Sequence, residues 1–390
     1  MRILVTGGPV HAKLDAVKFV TNRFKGGLMA KLAVELADAG HSVTFLVSNH
    51  VAKEVSILDK SNILCAVIHD GFHDYRKKVM EMAPDFDAVV LGAAVANLIP
   101  VCYHPSPLPW SMSVPKDYNS HIEMPLEGKF PSHDYKPGDR IYMEWQIAPR
   151  IVDEAKSHMK PGAHLFAFKL LKGVPHEELI SAAYEIVLES KATCVFANDA
   201  DDLGQVYAVM KDRSVHPMKR EEMTGFILEL MQDKYYRTVT GVQLAPTLPV
   251  LQKSDALVEK YRSRFTTVEG GYIFGIVAVR AGSSPAFVTT KRGKNELDGR
   301  VFVTSVNHKL HVVITSGGKA TLNAPLLHRI FEQNIDVAEI VHLHEEEAEL
   351  PVYDYAPPGT VRDSERPTHT SFNIRGHGCF LLLDKEGKQL

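Results

Sequence analysis

The sequence predicts an α/β fold in two parts: a parallel-sheet domain at 1–240 and a smaller α/β domain at 255–390, joined by a linker at 241–254. Three observations carry this. Apolar, strand-like runs alternate with helical periodicity through the first 240 residues, the pattern of βαβ units. A Pro-containing stretch without periodicity follows at 241–254. Beyond it, short alternating runs dominate and helical patterns become few. A chain of 390 residues also exceeds one ordinary core, at roughly 100–200 residues per domain.

Residues 2–6 read as a buried parallel strand, closed by Gly7-Gly8-Pro9. Leu28, Leu32, Val34 and Leu36 recur at helical spacing over 27–39, and Gly40 caps that helix. Residues 42–47 and 88–92 are the next strands. Prolines from Pro100 to Pro137 mark 100–138 as a long loop, which in a compact domain is usually functional or disordered. Regular structure resumes at 140–145. Strands at 165–169 and 193–197 flank a helix at 176–189, and a helix at 221–234 closes the first domain. In the second domain, strands at 272–280, 286–290, 300–304, 310–314, 337–343 and 378–383 accompany one helix at 325–334.

Composition excludes several classes. With 45% hydrophobic and 23% charged residues the chain is neither disordered nor collagen-like. Lys+Arg 44 against Asp+Glu 47 leaves a net charge of -3, so no global field favours nucleic acid or an anionic membrane. Cys65, Cys102, Cys194 and Cys379 lie far apart without CxxC spacing, which indicates neither a disulfide framework nor a Cys-rich zinc site. The N-terminus runs straight into a strand, and no apolar run approaches 18 residues. Neither a signal peptide nor a membrane helix is expected, and a cytoplasmic location is.

Two glycine points, Gly7-Gly8 and Gly26-Gly27, sit where strand gives way to helix. Free backbone N–H groups there can cradle phosphate, or the glycines can be simple turns. Neither GxGxxG nor GxxxxGK[ST] is present. The surrounding residues say more. Thr6-Gly7-Gly8-Pro9 is followed by Leu14-Asp15 and by Val17-Lys18-Phe19-Val20-Thr21-Asn22-Arg23. Then come Gly92-Ala93-Ala94-Val95-Ala96-Asn97, Gly128-Lys129-Phe130-Pro131-Ser132, Phe166-Ala167-Phe168-Lys169-Leu170 and Ala197-Asn198-Asp199. In order and spacing this set resembles the phosphopantothenoylcysteine synthetase family.

That resemblance implies a Rossmann-like domain and a two-step amide synthesis in coenzyme A biosynthesis. The carboxylate of 4′-phosphopantothenate attacks the α-phosphate of ATP or CTP, with Mg2+ on the phosphates. Pyrophosphate leaves, and the amine of cysteine then displaces the nucleotide. The resemblance implies that Asn22 contacts the acyl-nucleotide, where a neutral amide donates without adding repulsion. It implies that Lys129 neutralises developing charge, and that Gly7, Gly8, Gly26, Ala94, Asn97, Phe168 and Asn198 bind nucleotide or phosphate. It also implies a homodimer or higher homo-oligomer. Five positions depart from the family: Phe24 and Lys25 replace two serines, Asn97 replaces an aspartate, and Leu171-Lys172 replaces Glu-Thr.

In the second domain, His342 and His344 form an H-x-H on a predicted strand. Period-two alternation points both imidazoles to one face. Arg375-Gly376-His377-Gly378 offers a third imidazole from a loop. Three histidines with an open fourth position suit a divalent metal, Zn2+ above all. With Gly275-Ile276-Val277-Ala278-Val279-Arg280, Thr289-Thr290-Lys291-Arg292-Gly293 and Thr321-Leu322-Asn323-Ala324-Pro325-Leu326-Leu327-His328, the ordered set resembles the class II aldolase/adducin family. Asn323 stands where that family has its acid/base carboxylate, and Ile276 replaces a phosphate-binding asparagine. An amide cannot shuttle the proton, which leaves Glu345 as another base. The run Glu345-Glu346-Glu347 and His369 are spare ligands or surface residues. Three functions therefore stand side by side: the ligase, a metal-dependent sugar-phosphate aldolase or epimerase, and a non-catalytic assembly protein retaining both folds. The expected partners are 4′-phosphopantothenate, cysteine and nucleotide, without nucleic acid or membrane.

Overall fold

A computed structural model describes residues 1–48, 64–104, 121–241, 243–366 and 369–390. The chain divides into two compact units, Met1–Leu170 with Ile186–Asn198, and Leu171–Glu185 with Asp199–Leu390. The sequence placed the division at 241–254 instead. No helix among the described residues is long and apolar enough to cross a membrane.

The first unit is built on six strands in the order Cys194–Asp199, His164–Leu171, Ala88–Leu91, Arg2–Gly7, Ser42–Ser48 and Leu64–His69. The pairings of Arg2–Gly7 with both its neighbours are parallel, as are those of Ser42–Ser48 with Leu64–His69 and of His164–Leu171 with Ala88–Leu91. Ile3, Leu4, Val5, Phe45, Leu46, Val47, Val89 and Val90 are all buried. Such unbroken apolar runs are what a strand covered on both faces requires.

The region expected to be a long loop is partly a sheet. Leu98–His104 pairs antiparallel with Ile122–Glu123 and with Tyr142–Ile147. Pro100 is accommodated because the ladder shifts register there, between Glu144 and Trp145, and a bulge needs no N–H from proline. The stretch at 105–120, with four of the prolines, lies outside the described residues.

The second unit centres on a nine-stranded sheet. Its order is Arg237–Thr240, Val312–Ser316, Arg300–Asn307, Phe287–Thr290, Ile276–Arg280, Glu339–Leu343, Gly378–Leu383, Phe372–Ile374 and Val352–Tyr353. Alternation sorts its core onto two faces. Ile276 and Ala278 join Leu326, Leu327, Ile330 and Phe331 of the helix Ala324–Gln333. Val277 and Val279 join Leu257, Val258 and Tyr261 of the helix Leu248–Tyr261.

That last helix corrects the linker. Pro249 reads as a breaker in sequence, but it occupies the first turn, where its missing N–H is harmless. The strand Arg237–Thr240 likewise belongs to the sheet of the second unit.

Candidate functional site

In the first unit the strand Arg2–Gly7 delivers Gly7 against the helix Gly27–Asp38. A Cβ on Gly7 would stand 2.7 Å from Met29 Cβ and 2.8 Å from Phe45. Gly7 is therefore required for helix–strand packing. Gly8 and Gly26 have left-handed backbones, φ 78° and 81°, and Gly26 caps the helix without any side-chain acceptor. Thr6 Oγ1 accepts from the Tyr75 hydroxyl at 2.9 Å and from Ala93 N at 3.3 Å, which fixes the turn at 92–94 to the end of the first strand.

A cleft of about 200 Å³ opens beside this turn, lined by Ala93, Val95, Asn97, Arg150 and Phe168 among others. Asn97 and Phe168 are thus brought together in one cleft. Asn22 joins them through the backbone: its Nδ2 donates to Val95 O at 3.0 Å. Gly7, Gly8, Gly26, Ala94, Lys129 and Asn198 do not line this cleft. Asn198 is buried, and Lys129 is exposed.

Lys129 nevertheless sits in a held loop. Buried Asp15 accepts from Val17 N at 2.7 Å, Lys18 N at 2.6 Å and Phe130 N at 2.9 Å. Ala16 N donates to Gly128 O at 3.2 Å, and the Lys18 ammonium lies over the Phe130 ring. Burial alone would raise the Asp15 pKa, but the three N–H donors and Lys18 bring it below the ordinary value. Asp15 stood in the sequence motif with no role assigned. It is the residue that holds segment 128–130 to segment 15–18.

In the second unit the three histidines converge. One ligand atom from each of His342, His344 and His377 lies within 4.8 Å of the others. His342 lies on the strand Glu339–Leu343 and His344 just past its end. His377 approaches because both flanking residues are glycine. A Cβ at Gly378, φ 117°, would stand 2.0 Å from Leu343 O, and one at Gly376 2.5 Å from Val215 O.

The protonation pattern suits a cation. His342 Nδ1 donates to Cys379 O at 2.9 Å, which leaves Nε2 as the lone-pair nitrogen. The Nε2 atoms of His342 and His377 are buried and without a hydrogen-bond partner. Burial, then His377, pushes His344 down to about 3, and the same causes hold His342 well below the ordinary range. Neutral His342 and His344, together with the buried, unused Nε2 atoms of His342 and His377, fit a divalent metal.

Asp212 supports the trio from a distant stretch of chain. It lies in the turn between the antiparallel strands Gln205–Met210 and Val215–Lys219. Its Oδ2 is 3.1 Å from His377 Nδ1 and accepts from the Tyr355 hydroxyl at 3.0 Å. Its Oδ1 accepts from Ser214 N and Oγ. Burial alone would raise its pKa, but His377 and Ser214 hold it far below the usual carboxylate range. The sequence reading placed residue 212 in the other domain, and no local motif marks it.

A cleft of about 260 Å³ borders the trio, lined by Arg213, Thr266, His344, Glu346, Gly376 and His377 among others. The acidic run resolves accordingly. Glu345 and Glu347 pair with Arg264, so Glu345 is committed to an ion pair, whereas Glu346 lines the cleft. His369 is exposed and bonded to Asn334. Asn323 is buried, with its Oδ1 unpartnered.

Residues 1–106 match the family model of the DNA/pantothenate metabolism flavoprotein C-terminal domain. The chain is 24% identical over 208 residues to the coenzyme A biosynthesis bifunctional protein CoaBC of Thermococcus kodakarensis, covering 52% of this chain and 42% of that protein. It spans less than half the length of the curated relatives it matches. Among solved structures it is similar to the DNA/pantothenate metabolism flavoprotein from Streptococcus pneumoniae, with TM-score 0.49 and 22% identity over 60% of this chain and 98% of the other. It is also similar to L-fuculose 1-phosphate aldolase, with TM-score 0.25 and 14% identity over 36% of this chain and 77% of the other.

Proposed function

We propose that the first unit joins 4′-phosphopantothenate to cysteine at the expense of ATP or CTP, a step of coenzyme A biosynthesis. The observation that carries this reading is the family match over 1–106, a segment that includes Asn22 and the cleft residues from Ala93 to Asn97. The Asn22 amide is anchored on Val95 at the cleft wall, a position from which a neutral donor serves an anionic acyl-phosphate. Mg2+ would bind through the nucleotide phosphates and neutralise them. Lys129 would bring positive charge on the loop that Asp15 holds. Asn97 and Leu171 remove acids from the family pattern, Lys25 and Lys172 add cations, and Phe24 replaces a hydroxyl with an aromatic ring. Self-association belongs to the same reading, and Leu98, Ile122, Trp145 and Ile147, exposed on the three-stranded sheet, support it.

The test is pyrophosphate release by the full chain with 4′-phosphopantothenate, cysteine and either nucleotide. Turnover is expected, and Asn22→Asp should lower it about 10²–10³-fold, as loss of one oxyanion donor does. No release with either nucleotide, or undiminished release by a folded Asn22→Asp variant, overturns the assignment.

A second reading is favoured by the buried, unpartnered imidazoles of the second unit. His342, His344 and His377 would hold a divalent metal, Zn2+ by the chemistry of the donor set. Such a metal supplies Lewis acidity towards a carbonyl or phosphoryl oxygen. The chain's own residues would do the rest: Asp212 orients His377, Glu346 is the carboxylate placed to move a proton, and Arg213 lines the cleft with its guanidinium paired to Glu269.

A further inference from the structure

A second group of ligand-type side chains lies in the second unit, separate from the histidine trio. His308 follows the strand Arg300–Asn307, and His328 and Glu332 share the helix Ala324–Gln333. His328 and Glu332 are four residues apart and so project from one helix face. One ligand atom from each of the three lies within 4.8 Å of the others. We propose that His308, His328 and Glu332 bind a divalent transition-metal cation, pinning the turn after Arg300–Asn307 to the helix Ala324–Gln333.

The geometry supports this in three ways. His308 Nε2 and His328 Nδ1 are 3.2 Å apart. Metal–nitrogen bonds of about 2.0–2.1 Å put neighbouring nitrogens of a tetrahedral site about 3.3 Å apart. The proton now shared between the two rings is the one that a cation would displace. Second, the other nitrogen of His308 is already engaged: Tyr236 Oη lies 2.8 Å from His308 Nδ1 and 3.1 Å from Ser364 Oγ. With Nε2 on a metal, Nδ1 carries the proton and donates to Tyr236, the outer-shell contact that ligand histidines characteristically make. Third, Glu332 adds the negative charge that two neutral imidazoles lack. It pairs with Arg329 at 3.2 Å, but a carboxylate has about four lone-pair sites, so this pair leaves capacity for a cation. Two imidazoles and one carboxylate suit Zn2+, Fe2+ or Co2+ and do not suit Ca2+ or Mg2+.

The experiment is equilibrium dialysis of the tag-free full chain against Zn2+, with bound metal measured by elemental analysis. Glu332→Gln and His308→Ala are the informative variants, since neither residue is buried in the core; circular dichroism confirms their folding. Wild-type protein should bind one equivalent more than His308→Ala, and Glu332→Gln should bind that equivalent at least tenfold more weakly. His342→Ala, made in parallel, should leave it in place, so failure of the trio as a metal site reads separately as a wild-type total of one instead of two. Equal stoichiometry and affinity in wild type, His308→Ala and Glu332→Gln would overturn the proposal and leave the cluster as a hydrogen-bonded chain of Ser364, Tyr236, His308 and His328.

Discussion

The two units assemble their candidate sites by opposite means. In the first, Phe168 comes from a strand and Asn22, Asn97 and Lys129 from loops, and one buried carboxylate, Asp15, ties the Lys129 segment to the segment that leads to Asn22. In the second, two histidines ride on a strand end and a third arrives on a turn between glycines. The first arrangement is held by hydrogen bonds to one carboxylate. The second is fixed by close backbone packing, and its imidazoles are held in place before any ligand arrives. The contrast teaches that identity and geometry are separate kinds of sequence information. A loop motif carries the first, and a strand periodicity carries the second.

Backbone packing gives the largest expected difference. Gly378→Ala puts a Cβ 2.0 Å from Leu343 O at a φ of 117°, so the turn must shift away from the strand. A loss of about 3 kcal/mol or more is expected, measured by denaturant melting, together with loss of the trio's convergence. Gly128→Ala, in the loop of the first unit, meets open space and should change stability by less than about 0.5 kcal/mol. Equal effects of the two would dissolve the contrast between a packed site and a loop site.

Buried imidazoles give the next effect, and it sits in the first unit. His69 is 1% exposed, with neither ring nitrogen hydrogen-bonded. Burial, then the charge of His11, pushes its pKa down to about 4. The unfolded chain titrates near 6.5, so between these values the unfolded state binds more protons. Stability is whole above pH about 6.5 and falls as pH drops towards 4, by up to about 3 kcal/mol from this group. His69→Leu should flatten that part of the stability curve. An unchanged acid slope in a folded His69→Leu variant would move the effect to the histidines of the second unit that burial also lowers, His216, His342 and His344.

What the sequence made legible follows the same line. The parallel strands of the first unit were readable because both faces are apolar, as in Ile3, Leu4 and Val5. The H-x-H geometry was readable because strands alternate with period two. Three features were not. Pro249 looks like a breaker and begins a helix, because only position within the first turn distinguishes the two. Pro100 looks like loop and sits beside a shift in strand register. Asp212 carries no local signature, since its role exists only once its hairpin meets the turn at Gly376, where Val215 N donates to Gly376 O.

Asp212 also gives the smallest and most discriminating effect. Its Oδ2 faces His377 Nδ1 at 3.1 Å, while Tyr355 and Ser214 saturate the rest of the carboxylate. The negative charge therefore favours the tautomer with the Nδ1 proton and raises the basicity of Nε2, the nitrogen left for a cation. Asp212→Asn keeps the size and most of the hydrogen bonds but removes the charge. Loss of such an outer-shell partner weakens metal binding by about 10–100-fold, or roughly 1.4–2.7 kcal/mol. Competition against a chromophoric chelator, with the Zn2+ bound at the His308 cluster subtracted through the His308→Ala background, measures this directly. His342→Ala should abolish the binding that Asp212→Asn only weakens. Wild-type affinity in Asp212→Asn would mean that Asp212 serves only to close its own hairpin turn on Ser214, and that the trio of the second unit is ordered by glycine packing alone.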